Sequence, residues 1–376
     1  MAVVTGSVPP LSGPTYRSLI GLITIQFFGN QAAGSFWLVY LVSTPQSLPF
    51  ELAILVWLIG FGVAAILVLA MSRGRPIGAL TSITVGMIAV AVGHFAFLFL
   101  SPLSAVLVAG VGFGVYIPAF WLPMNTLLVR ATNRGNRAGR LAGLTATFTT
   151  VAVVAPVFGG YVADVLGYRM LFAIGGVIVL GNLVLFRRLI DPAHAFAFSI
   201  DWRATHPRTV AAFAGQGGVD GLLSVATPLG SFLFTTDSFE LGLLFSLFSL
   251  AAGVAAVILG RISDRTRRRT PFLLLGPILS VLACLLAYTA RDLSGFAVAI
   301  GWLSMTSAIA PSFIYTMLVD RMEGSVPNVT ATREFSINLG RSVAIMAGLG
   351  VLAVTGGVYP LYLLVGAVIL LEALAK

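Results

Sequence analysis

The chain has 376 residues, 58% hydrophobic and only 9% charged, with a mean hydropathy of +1.00. Soluble domains carry about 25% charged residues, and a soluble core of this size needs far more polar surface to cover it, so an ordinary soluble domain is excluded. The net charge of +9 does not signal nucleic acid, because the basic residues fall in short segments between apolar runs.

Residues 1–15 read as a polar tail, without the basic region, short apolar stretch and cleavage site of a signal peptide. Six apolar runs follow, at 16–43, 49–71, 77–100, 103–130, 137–164 and 168–190. A longer, polar-leaning linker occupies 191–206 (DPAHAFAFSIDWRATH). Six more runs lie at 207–234, 239–262, 270–290, 293–320, 327–355 and 358–375. Runs of about 20 residues span a hydrocarbon layer ~30 Å thick as helices. They lack strand-like alternation, which argues against a porin-type barrel. The expectation is an all-α membrane protein of twelve spans in two six-helix bundles, 16–190 and 207–376.

The two bundles correspond at a shift of 190 residues. Gly86 then meets Gly276, Gly167 meets Gly357, Gly176 meets Gly366 and Arg75 meets Arg265. In the first span of each half, Gln26 and Asn30 meet Gln216 and Asp220. One constant offset across six spans points to a parallel repeat. With both termini cytoplasmic, all 22 Lys and Arg except Arg169, Arg291 and Arg341 fall at cytoplasmic ends or loops. That places the chain in a cytoplasmic membrane with both ends inside.

Several functions find no support. The single cysteine, Cys284, lies in an apolar run, which excludes a disulfide within the chain. His94, His194 and His206 are scattered, so no metal site is expected; His94 reads as an interface residue on a peripheral span. No G-x-x-x-x-G-K-[ST] phosphate loop is present. No cofactor and no enzymatic activity are expected.

Two stretches carry a family resemblance. Residues 260–270 read G-R-I-S-D-R-T-R-R-R-T, and 155–160 read A-P-V-F-G-G, followed by Asp164, Gly167, Tyr168 and Arg169. The first resembles the G-x-x-x-D-R-x-x-R-R loop of the major facilitator superfamily of transporters. The second is similar to the G-P-x-x-G-G of that family's fifth helix, typical of exporters that exchange solutes for protons. Alanine replaces its first glycine, Gly74 stands where the second-half loop has Asp264, and the fourth span lacks the buried arginine of proton-driven drug exporters.

The resemblance implies a fold of two bundles, each a 3+3 inverted repeat, rocking about a central site. It implies a gating loop in which Gly260, Asp264, Arg265 and Arg268 meet Arg137 and Arg140, and a bend point at Pro156, Gly159 and Gly160. It also implies that spans seven and eleven border the cavity. Asp220 and Arg341 lie 13 and 14 residues into those spans, about 20 Å from their start at ~1.5 Å per residue. Ionisable groups at that depth pair with each other or line a water-filled cavity. Asp220 is the candidate proton carrier and Arg341 the candidate for an anionic group.

Gln26, Asn30, Gln31, Tyr116, Trp121, Asn125, Gln216, Tyr315 and Asn338 complete the candidate solute site, an aromatic and amide lining suited to a mid-sized organic ligand. Arg333 and Glu334 lie close enough to the cytoplasmic end to be solvated. The expected activity is secondary transport of a small organic solute. Proton-coupled export comes first, and uptake or exchange of an organic anion second. A non-transporting assembly or sensor protein is the alternative of another class. Expected partners are the solute, protons or another coupling ion, and the bilayer, with the protein a monomer.

Overall fold

The computed structural model describes residues 15–131, 137–200, 207–266, 270–311 and 326–375. The first half comprises α1 (Tyr16–Gly34), α2 (Trp37–Val42), α3 (Phe50–Met71), α4 (Ala79–Phe99), α5 (Pro102–Arg130), α6 (Arg137–Leu166) and α7 (Tyr168–Leu189). The second comprises α8 (Pro207–Phe232), α9 (Ser238–Thr266), α10 (Thr270–Thr289), α11 (Leu293–Ser307), α12 (Val326–Thr355) and α13 (Pro360–Ile369), ending in a 3-10 turn at Leu370–Ala375. Among the described residues, 8 helices are long and apolar enough to cross a membrane. This is a multi-pass, all-α membrane protein.

The expected first span is two helices, because the chain breaks at Ser35 and Phe36, between α1 and α2. Thr15 caps α1, its side chain accepting the Ser18 N–H at 3.2 Å. Proline lies inside α5, α6, α8 and α10, as membrane helices tolerate when neighbours satisfy the freed carbonyls.

The repeat is visible in the packing. α1 lies against α7 as α8 lies against α13 and the 3-10 turn. A Cβ at Gly86 of α4 would stand 3.2 Å from Ala119 Cβ, and one at Gly276 of α10 would stand 3.0 Å from Ile309 Cβ. Ile309 is 190 residues beyond Ala119, so the same crossing is built twice.

The halves meet along α6–α9 and α3–α12. Gly160 and Gly242 are the crossing point of the first seam. A Cβ at Gly160 would stand 2.5 Å from Ser238 O, and one at Gly242 would stand 2.5 Å from Pro156 O. Gly159 presses against the Ala32 carbonyl. Ser246 Oγ donates to Val153 O at 2.5 Å, and Ser238 Oγ donates to the Tyr168 hydroxyl at 2.8 Å. The region 156–160 is therefore a close-packing surface for both α1 and the other half, as small residues permit in a membrane.

Two expectations change. The helix α9 continues through Gly260 and Asp264 to Thr266, where a tight loop was expected. The side chains of Asp264, Arg265, Arg137 and Arg140, and Arg268 altogether, lie outside the described residues. The linker, in turn, is not simply polar. Its β2 (Ala195–Phe196) pairs antiparallel with β1 (Ile77–Gly78), and Arg73 bridges to Ser199. Phe196 and Phe198 lie two apart in extended chain, so both reach one face, and both are buried. The Arg130 guanidinium stands 4.5 Å from the Phe196 ring centre. From the other half, Asn328 Oδ1 accepts the Ser199 N–H at 3.0 Å.

Candidate functional site

A cavity of about 650 Å³ lies between the halves, lined by residues of α1–α5 and of α8, α9 and α12. Asn30 and Gln31 reach it from α1, and Tyr116, Trp121 and Asn125 from α5. Asp220 lines it from α8 and Arg341 from α12. The sequence spacing thus brings these seven together.

Asp220 and Arg341 pair as their depth suggested, with Nη2 to Oδ2 at 3.2 Å. Close packing aligns them, since a Cβ at Gly221 would stand 2.8 Å from Arg341 Cα. A second guanidinium nitrogen, Nη1, donates to Asn338 Oδ1 at 3.2 Å. The guanidinium carbon lies 4.9 Å from the ring centre of Phe61, a residue of α3 in the other half. The side chains of Arg341 and Asp220 keep 22% and 42% of their surface exposed, so solvent in the cavity screens the pair. It is an accessible charged site rather than a sealed structural bridge.

Three of the expected lining residues stand behind the wall. Gln26 is fully buried, one turn before Asn30, and its Oε1 accepts from Asn182 Nδ2 at 3.4 Å. Gln216 is buried in α8, one turn before Asp220, and does not line the cavity. Asn338 is buried outside the cavity lining, where its Oδ1 accepts from Arg341. Tyr315 lies outside the described residues.

The sequence reading missed the other end of the cavity. His94, expected at an interface, is fully buried in α4 and lines the cavity. Trp37 Nε1–H donates to its Nδ1 at 3.3 Å. Because an indole nitrogen only donates, Nδ1 is the acceptor and Nε2 carries the proton toward Asn30 Oδ1, 3.2 Å away. The imidazole is therefore a neutral strut that orients Asn30. Trp37 stacks on Trp57 with centroids 5.5 Å apart, and Trp57 stacks on Phe61 at 5.8 Å. This aromatic ladder runs from His94 to Arg341. It depends on the break between α1 and α2, which no single residue of the run announces.

Arg333 and Glu334 are also corrected. Both line the cavity, Glu334 is buried, and their side chains pair at 3.0 Å. Among the described residues no cluster of His, Cys, Asp and Glu could hold a metal ion.

A family model described as Major Facilitator Superfamily matches residues 209–375. Nearly all of the chain superposes on solved transporter structures. One is a POT family transporter in complex with 5-aminolevulinic acid, with TM-score 0.74, 11% identity, and 96% of this chain and 94% of that chain covered. Another is a POT family transporter in complex with a thioalcohol-conjugated peptide, with TM-score 0.76, 10% identity and the same 96% and 94% coverage. The second half thus matches the Major Facilitator Superfamily model, and the chain shares the fold of these transporters. No curated protein gives a significant sequence match. The sequence match falls on the second half, while the fold likeness extends over both. The Asp220–Arg341 pair lies inside the matched half, and the aromatic ladder opposite it lies outside.

Proposed function

We propose that this protein is a secondary active transporter that carries a small organic solute, coupled to protons, by alternating access about the cavity between its halves. The observation that carries this reading is the solvent-reached Asp220–Arg341 pair in a cavity walled by both halves. Arg341 offers a planar fork suited to carboxylate, and its Nε and the Trp57 Nε1 are buried donors without a protein partner. Left-over donors beside stacked rings suit a solute with an acidic group and an apolar body. An anion that takes Arg341 frees Asp220, which then accepts a proton, so binding and protonation are linked.

In this reading the end carrying the linker faces the cytoplasm. The likeness of 155–160 to the exporter motif puts export first. The second reading, uptake or exchange of an organic anion, draws on Arg341 and on the carboxylate-bearing solute named with one structural neighbour.

The test is a thermal-shift screen of purified protein at two pH values against monocarboxylates, amino acids, short peptides and organic cations. A solute at 100 times its Kd stabilises by ~2.7 kcal/mol. Carboxylates are expected to stabilise the parent but not Arg341→Gln. Stabilisation by cations alone removes the anionic assignment. A binding solute that never exchanges in reconstituted vesicles removes transport and favours a sensor.

A further inference from the structure

The six-helix bundle is built twice, and the two copies differ in charge at one buried amide cluster. In the first half, Asn182 of α7 is buried against α1, its Nδ2 donating to Leu22 O at 2.9 Å and to Gln26 Oε1 at 3.4 Å. Asn30 follows one turn after Gln26. A shift of 190 residues carries Asn182, Gln26 and Asn30 to Glu372, Gln216 and Asp220. An arrangement of neutral amides in one half is thus matched by two acids around an amide in the other.

Glu372 lies in the closing 3-10 turn and is only 1% exposed. Its turn packs on α8, where a Cβ at Gly215 would stand 2.7 Å from Leu371 Cβ and 3.3 Å from Glu372 N. Both of its carboxyl oxygens lack a hydrogen-bond partner, and so does Gln216 Oε1. An ionised carboxyl would add two more acceptors to a spot already short of a donor. Burying an unpaired charge costs far more than burying the neutral acid. One proton on Glu372 supplies the missing donor, as the amide of Asn182 does in the first half.

The helices α10 and α13, which also pack on this turn, carry no charged residue; their other titratable groups are Cys284, Tyr288 and Tyr362. The charged residues of α8 are Arg208, at its start, and Asp220, one turn beyond Gln216 and so on the same helix face.

We propose that Glu372 and Gln216 form a proton-binding site behind the cavity wall, in which the neutral Glu372 carboxyl donates to Gln216 Oε1 and responds to the charge of Asp220. Occupancy follows from like-charge coupling. While Asp220 is ionised, Glu372 keeps its proton. When Asp220 is neutralised, the Glu372 O–H releases its proton more easily, to water reaching the turn. The site gives the transporter a second acid besides the one in the cavity, and it rests on the proton-coupled reading in that respect alone.

The test uses the full chain in lipid nanodiscs without solute. Infrared spectra recorded on exchange from H₂O to D₂O and during a pH titration follow the carbonyl stretch of protonated carboxylic acid. The parent is expected to show this band near neutral pH. Glu372→Gln loses it. Glu372→Asn also loses it while keeping the fold, because asparagine is the first half's own solution. Asp220→Asn keeps the band near neutral pH but loses it at a lower pH than the parent. A parent without the band, or a band undiminished in both Glu372 variants, overturns the site. An unshifted midpoint in Asp220→Asn overturns the coupling. Failure of solute exchange in vesicles with the band intact removes the transport reading and leaves the site standing.

Discussion

Arg341 reaches across the seam between the halves to Phe61: its guanidinium carbon lies 4.9 Å from that ring's centre, between α12 and α3. The Asp220 and Asn338 partners belong to its own half. Separation of the halves would therefore break the ring contact and leave the hydrogen bonds. Cation–π contacts contribute about 0.5–2 kcal/mol. Phe61→Leu is expected to lower folded stability by that amount, and Phe61→Tyr to change it little. Equal losses in thermal unfolding would mean that the ring only fills space.

The Gly160–Gly242 crossing leaves no room for a methyl group. Gly242→Ala places a Cβ 2.5 Å from Pro156 O and 3.1 Å from Gly160 Cα. Overpacking of this kind costs about 1–3 kcal/mol, here only while the halves touch at this end. The variant should therefore favour their separation about 5- to 150-fold. Spin labels at positions 161 and 239 would report it as a longer distance population. An unchanged distribution would show that the seam yields by local repacking.

The His94 strut predicts a loss in two places. His94→Phe keeps a ring but strands the Trp37 indole N–H and frees Asn30, each hydrogen-bonded to it in the parent. A buried donor left without a partner costs about 1–3 kcal/mol. Unfolding should fall by that amount, and tryptophan fluorescence should shift as Trp37 leaves its stack on Trp57. A drop in stability with unchanged fluorescence would assign His94 to packing alone.

Asp292 carries a pH dependence outside the membrane-spanning segments. Its carboxyl accepts the Gly295 N–H at 2.7 Å and the Ser294 hydroxyl at 2.6 Å, capping α11. The Gly295 bond first, then Ser294, hold it below the usual aspartate range. A lowered pKa stabilises the fold above the ordinary value, ~3.9, and that contribution disappears as pH falls through the lowered one. Asp292→Ala should therefore melt earlier at pH 7, with the gap closing in acid. A gap constant down to acid pH would show that capping does not depend on charge.

The fold was legible because burial in a membrane forces long apolar runs, and because a constant offset relates them. The Asp220–Arg341 pair was legible because charge at mid-depth has few places to go. Gln26 shares a helix face with Asn30, yet only Asn30 meets the cavity. Periodicity fixes a face and cannot say at which turn the wall closes. Trp37, Trp57 and His94 were illegible for another reason. Uncharged rings in an apolar run look like core, and it is the break between α1 and α2 that turns Trp37 onto His94. Glu372 carries its sequence signal in the repeat, once Asn182 is seen bonding to Gln26.

The docked linker sets a limit on motion. With Ala195–Phe196 paired to Ile77–Gly78, only seven peptide steps join Ile200 to Pro207. Chain geometry allows at most about 25 Å over that distance, against about 61 Å over the seventeen steps from 190 to 207 if all of 191–206 were slack. In the proposed alternating-access cycle the strand pairing would work as a short leash on the stroke. A transporter that rocks about its centre would have its opening at this end capped by the leash, and loosening the Phe196 and Phe198 anchors would lengthen the stroke without touching the solute site.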